Sequence, residues 1–156
     1  MKRKHVIMCI VAAMASAMLF GCGSSKNVSY TDGTYTGQSQ VHEGESIDDD
    51  SSGSAGDGYG VVEITITDGK ISDCTYQTYE TDGTLKDSEY GKKSGEVANQ
   101  DYYNKAQKAV AACEEYANNL VANGSLDGID AISGATINYE EFCEAVEDAL
   151  SQAEAE

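Results

Sequence analysis

An α+β fold, with an antiparallel sheet followed by two amphipathic helices, is predicted by three features of this 156-residue sequence. Segments that alternate apolar and polar residues are gathered before residue 80. From about residue 100 onward the apolar residues recur every three or four positions instead. The part that remains to fold once the ends of the chain are set aside is about 120 residues, enough for one domain with one modest core. Strands first and helices after is the pattern of an α+β domain.

The elements follow in order. "YTDGTYTGQSQV", residues 30 to 41, alternates and is rich in Tyr and Thr, so it reads as a strand entered through an Asp32-Gly33 turn. "HEGESIDDDSSGSAGDGYG", residues 42 to 60, is acidic and rich in Gly and Ser, a solvated insertion between two strands. Asp48, Asp49 and Asp50 within it lack the ligand pattern of a calcium loop. In "VVEITITDGKISDCTYQTY", Val62, Ile64 and Ile66 face one way and Glu63, Thr65 and Thr67 the other. Asp68-Gly69 is a hairpin turn, and Ile71 to Tyr79 is the returning strand. The irregular stretch that follows, residues 80 to 100, carries Lys86, Lys92 and Lys93.

Tyr103, Ala106, Val110, Cys113, Ala117 and Leu120 then mark one face of a helix from about Gln100 to Ala122, with Asn123-Gly124 as its stop. Tyr139, Phe142, Cys143, Val146, Ala149 and Leu150 mark a second helix, and Asn138 followed by Glu141 has the spacing of a capping box. Cys113 and Cys143 lie on apolar faces, either as two reduced core thiols or as a helix-to-helix disulfide. The cysteine spacing fits no zinc pattern and histidine is scarce, which argues against a metal site.

The ends of the chain bear on its compartment. Lys2, Arg3 and Lys4 precede an uncharged apolar run from Val6 to Phe20, too short for a comfortable membrane span and laid out like a secretory signal. The run ends in "LFGC", which resembles the lipobox of bacterial lipoproteins, where cleavage precedes the cysteine and the cysteine is acylated. The resemblance implies a signal peptide over residues 1–21, a lipid-anchored flexible tether over 22–29, and an extracytoplasmic location. Cys22 would carry the fatty acyl groups, palmitate among them. Acyl chains contribute about 0.8 kcal/mol per buried methylene, so several chains hold firmly. Cleavage there would remove three of the 10 basic residues and none of the 27 acidic ones, taking the formal charge from −17 to −20. So acidic a chain, left without arginine, repels polyphosphate, and nucleic-acid binding is discarded.

One loop stands apart. "DAISGAT", Asp130 to Thr136, precedes the last helix. Gly134 and Ala135 let a ligand or an enzyme approach the backbone, and Ser133 and Thr136 offer hydroxyls. Asp130 has a carboxylate able to order the loop by hydrogen bonds. A helix start favours an anion, since its N–H groups lack partners and its dipole is positive there. By this chemistry alone the loop is either an anion site or a capped turn.

"DAISGAT" resembles the flavinylation motif of FMN-binding domains, as found in the C subunit of sodium-pumping NADH:quinone reductase and the G subunit of Rnf complexes. "DGTYTG" and "VEITITDGKISD" extend the resemblance over most of residues 30–150, leaving 151–156 as a C-terminal tail. The resemblance implies FMN attached covalently to Thr136 through a phosphoester, derived from FAD by a flavin transferase. Asp130, Ser133, Gly134 and Ala135 are then the recognition loop. "YETDGTLKDSEYGK" stands where some members carry an "ETPG"-like segment, and Tyr79, Tyr90, Lys92 and Lys93 are the candidates to flank the ring.

The implied function is a lipid-anchored flavoprotein that relays electrons between a membrane redox chain and an outside acceptor, with membrane electron-transfer proteins as partners. The alternatives are a flavin-dependent reductase with its own small-molecule acceptor and a non-redox binding lipoprotein. No second domain or catalytic dyad is visible, which favours a carrier over a stand-alone enzyme.

Overall fold

The computed structural model describes residues 29–43 and 57–155. The expected signal peptide, Cys22, nearly all of the tether and residues 44–56 of the acidic insertion lie outside the described residues. Three strands, β1 (Gly33–Gln38), β2 (Tyr59–Thr67) and β3 (Lys70–Tyr79), form an antiparallel sheet in the order β1-β2-β3. Two helices follow, α1 (Gln100–Asn123) and α2 (Thr136–Ala153), and both pack on the sheet, α1 against β3 and α2 against β1 and β2.

The β2–β3 hairpin turns at Asp68-Gly69, as expected. Both residues have positive φ, 52° and 71°, the conformation that matches a two-residue turn to the twist of its strands. Asp32 does more than start β1: its carboxylate accepts the Gly69 N–H at 2.9 Å and ties the first strand to the hairpin turn. The pairing shifts between Thr65 and Ile66, where Thr65 opposes Asp73 but Ile66 opposes Ile71. This bulge resets the side-chain parity of β3. Ile71 therefore points into the core together with Cys74, Tyr76 and Thr78, although three positions separate Ile71 from Cys74.

Helix α2 approaches β1 through Gly37. A methyl group there would lie 2.0 Å from the Ala145 carbonyl oxygen and 2.4 Å from the Ala149 nitrogen, so only hydrogen fits. Alanines at 145, 149 and 153 line the facing side of the helix and are fully buried. Beneath them an aromatic cluster fills the centre. Phe142 stacks on Tyr116 with centroids 5.4 Å apart and tilts against Tyr76 at 5.0 Å.

Helix α1 has the ends its sequence predicts. Asn99 caps it by accepting the Tyr102 N–H at 3.0 Å, and Gly124, at φ 71°, closes it with an N–H to the Leu120 carbonyl. Tyr103 and Val110, expected on its buried face, are only half-buried, whereas Ala112 and Tyr116 are buried.

Helix α2 departs from the expected capping box. It begins at Thr136 with Ala135 as an N-cap that makes no side-chain bond. Asn138 is buried in its first turn, donating to the Ala109 carbonyl at 3.2 Å and to Cys113 Sγ at 3.5 Å. Glu141 is fully buried and cannot reach back to a cap. The pull of long-range packing on these two side chains outweighs the local capping pattern. The tail boundary also moves. Residues 151–153 belong to α2, Ala153 is buried, and its carbonyl accepts the Thr31 N–H at 2.8 Å. The Ala155 N–H in turn reaches Ser29, so the C-terminal end is clipped to the start of the domain.

Among the described residues Cys74, Cys113 and Cys143 form no disulfide. Burial pushes the Cys74 thiol up to about 12 and raises that of Cys113 as well, so both behave as core side chains rather than nucleophiles.

Candidate functional site

The site is built mainly from three segments that are remote in sequence, with Glu43 and Thr78 of β3 completing its wall. The motif loop and the start of α2 supply Gly134, Ala135, Thr136, Ile137 and Asn138; the first half of α1 supplies Tyr102, Lys105 and Lys108; the segment after β3 supplies Lys86 and Tyr90. Together they wall a cleft of about 1080 Å³. Thr136 is the first residue of α2 and its side chain is exposed. The N–H groups of the first turn have no side-chain cap, so the positive end of the helix is open beside that hydroxyl.

The motif loop is ordered from beneath. The Tyr116 hydroxyl accepts the Ile132 N–H at 2.8 Å and donates to the Ala135 carbonyl at 3.1 Å. Tyr139 donates to the Ile129 carbonyl at 2.9 Å, and Tyr76 to the Asn138 carbonyl at 2.7 Å. Burial raises the pKa of Tyr116 and of Tyr76, which keeps both as neutral donors. Gly134 takes a φ of +82°, a left-handed conformation suited to glycine.

Tyr116→Phe should therefore cost stability and disorder the motif without changing any motif residue. The Ala135 carbonyl keeps the Tyr139 N–H, so the loss falls on the partly buried Ile132 N–H, about 1 kcal/mol. Denaturant unfolding would measure it, and a variant within about 0.5 kcal/mol of the native chain would contradict this role.

The expected site residues divide. Gly134, Ala135, Thr136 and Tyr90 line the cleft. Asp130 and Ser133 are exposed and neither makes a hydrogen bond among the described residues, so the loop owes its order to Tyr116 rather than to Asp130. Tyr79 stacks on Tyr59 at 5.5 Å on the sheet and donates to Gln77. Lys92 pairs with Glu89 at 2.6 Å, and Lys93 sits in a backbone bridge to Glu96. None of these last three is a wall residue of the cleft.

Lys86, Lys105, Lys108 and Tyr116 were not assigned to the site from sequence. Lys105 and Lys108, three apart, share one side of α1, and in so acidic a chain that pairing was the available signal. Lys108 lies against the motif: a methyl group on Gly134 would be 3.6 Å from its Nζ. The stripe read from the sequence omits Tyr116, although it stands three residues after Cys113 and four before Leu120; that spacing marks it as buried but not as a support of the loop.

Three ammonium groups outnumber the Glu43 and Asp101 carboxylates on the wall, and with two phenol rings, an exposed threonine hydroxyl and an open helix start they form a donor set suited to an anionic group attached to a flat ring. Among the described residues no cluster of His, Cys, Asp or Glu is placed to hold a metal ion.

Residues 53–151 match the family model described as the FMN-binding domain. No curated protein matches the chain. The fold is similar to the crystal structure of the CPE2226 protein from Clostridium perfringens, with a TM-score of 0.53 and 23% identity over 80% of this chain and 88% of that one.

Proposed function

Since the chain belongs to the FMN-binding domain family, we propose that it is a lipid-anchored extracytoplasmic electron carrier holding FMN covalently on Thr136. The observation that carries this reading is the position of Thr136: an exposed hydroxyl at an uncapped helix start, on the wall of a cleft that also presents three lysines. A flavin transferase supplies FAD. Thr136 would hold the cofactor through its hydroxyl oxygen, in a transfer that would cleave the pyrophosphate of FAD, release AMP and pass the hydroxyl proton to a base of the transferase. The Lys108 ammonium beside Gly134 and the dipole of α2 offset the charge of the resulting phosphodiester. Gly134, exposed and without a side chain, leaves the backbone open to the modifying enzyme, while Ala135 is buried beneath it. Bound there, FMN supplies one- and two-electron chemistry, while the chain supplies attachment, shielding and charge.

Attachment suits a protein outside the cytoplasm, where a dissociated cofactor would be lost. A covalent link keeps the effective concentration high without a deep pocket. The experiment that tests the carrier reading is co-expression with a flavin transferase. The purified chain should be yellow and should exchange electrons with a redox dye. It should show no turnover of a small-molecule acceptor beyond the rate of its own reoxidation; sustained turnover would favour a reductase.

The anchor is tested separately. Because "LFGC" ends the apolar run, Cys22→Ala should release the chain from the membrane fraction or leave it unprocessed. A Cys22→Ala chain that is cut at the same site and stays fully membrane-bound would rule out lipidation at Cys22.

A further inference from the structure

Among the described residues Lys86 is the only buried lysine, 7% exposed, on the wall of the cleft that Thr136 shares. Its backbone N–H bonds to the Thr78 carbonyl at 2.9 Å, which pins it beside β3. The end of its side chain lies over Gly58, where a methyl group would come within 2.7 Å of Nζ. The ammonium stands 5.3 Å from the centre of the Tyr90 ring, another wall residue. Glu141 lies five residues beyond Thr136 on α2, fully buried, with neither carboxylate oxygen hydrogen-bonded. Burial raises its pKa to about 7, against the pull of Lys86 and His42 and with a push from Glu144. Burial likewise lowers the pKa of Lys86, and the charges of Glu141, Glu80 and Asp57 raise it again.

Burying a cation and a carboxylate together is costly unless the site uses them, and such groups gather where charge must be controlled. Lys108 lies at the motif loop, where the phosphate is joined. Lys92 is paired with Glu89, and Lys93 is exposed to solvent, so water screens them. Lys105 and Lys108 come from α1, whereas the wall formed by Lys86 and Tyr90 comes from the segment after β3, and Lys86 alone of the three lysines is buried.

We propose that Lys86 is the charge partner of the flavin ring and Glu141 its counter-charge, the two shifting the ring's reduction potential in opposite directions. The proposal rests on the reading that FMN is carried on Thr136. Reduction adds two electrons from the donor and one proton from water to a neutral ring, leaving one net negative charge. The Lys86 ammonium offsets that charge and favours reduction; the Glu141 carboxylate opposes it. In a site partly closed to water both effects are larger than they would be at the surface.

The test uses the chain flavinylated by co-expression, with FMN on the Thr136 peptide confirmed by mass. Equilibrium reduction by dithionite against a reference dye is followed at pH 8, where Glu141 is ionised. Lys86→Met should lower the equilibrium constant for two-electron reduction at least tenfold, about 30 mV. Glu141→Gln should raise it threefold or more, and Lys86→Arg should stay within threefold of the native chain. A general loosening of the site would instead move Lys86→Met and Glu141→Gln in the same direction, and that result, or an unchanged Lys86→Met, overturns the proposal. Should Lys86→Met fail to accumulate, the sign of Glu141→Gln decides: a rise supports the proposal, and a fall or no change overturns it. A native chain with no FMN on Thr136 would defeat the underlying reading and this proposal with it. A normally loaded chain with the wrong shifts would defeat this proposal alone.

Discussion

Thr136→Ala is expected to abolish covalent FMN completely while leaving the fold intact. The substitution removes the atom that forms the phosphoester, and it does so at an exposed side chain that caps nothing and makes no hydrogen bond to the core. Stability should therefore change by no more than about 0.5 kcal/mol. Thr136→Ser keeps the hydroxyl at the same helical position and should retain part of the modification. Asp130→Ala should lower the yield by weakening recognition, with the acceptor still present. Peptide mass spectrometry after co-expression with an active transferase reads all three. Unmodified Thr136 in the native chain, while a control FMN-binding domain is modified in the same cells, would end the covalent reading. FMN found on Ser133 instead would move the attachment site.

Phe142→Ala is expected to cost about 3–5 kcal/mol. Phe142 is fully buried and its ring touches two of the three tyrosines whose hydroxyls hold the site, Tyr116 at 5.4 Å and Tyr76 at 5.0 Å. Its removal opens a cavity where α1, α2 and β3 meet. A domain of this size has a total stability on the order of 5–15 kcal/mol, so the variant should be close to unfolding at physiological temperature. The loss should reach the site as well, because Tyr116 and Tyr76 anchor the carbonyls of Ala135 and Asn138. Chemical denaturation gives the magnitude. A loss under about 1 kcal/mol would mean that α2 does not pack as described.

The elements were legible in the sequence because their signals are local. Val62, Ile64 and Ile66 alternate with polar residues, and Asp68-Gly69 is a turn sequence in its own right. Asn123-Gly124 ends α1 where a left-handed residue is needed. The motif loop was legible for a different reason: its residues are contiguous, so Gly134, Ala135 and Thr136 arrive at the cleft together. The cleft's other walls were not. Lys86 and Lys108 are about 50 and 30 residues from Thr136, and nothing in their immediate neighbours says that they face it.

Asn138 and Glu141 show most clearly where local reading stops. Their spacing is that of a cap, and an isolated helix would use it so. In the folded chain Asn138 turns to the Ala109 carbonyl and Cys113, and Glu141 is enclosed beside the sheet. By itself the sequence determined the three strands, the hairpin turn, the two amphipathic helices and the contiguous motif loop, since each depends on the periodicity or conformational preference of neighbouring residues. The tertiary structure alone decided which polar side chains lose water: Tyr116 under the motif, Lys86 on the cleft wall and Glu141 against Gly60 of the sheet. Loss of hydration depends on atoms brought from every element at once, and no window of sequence contains them.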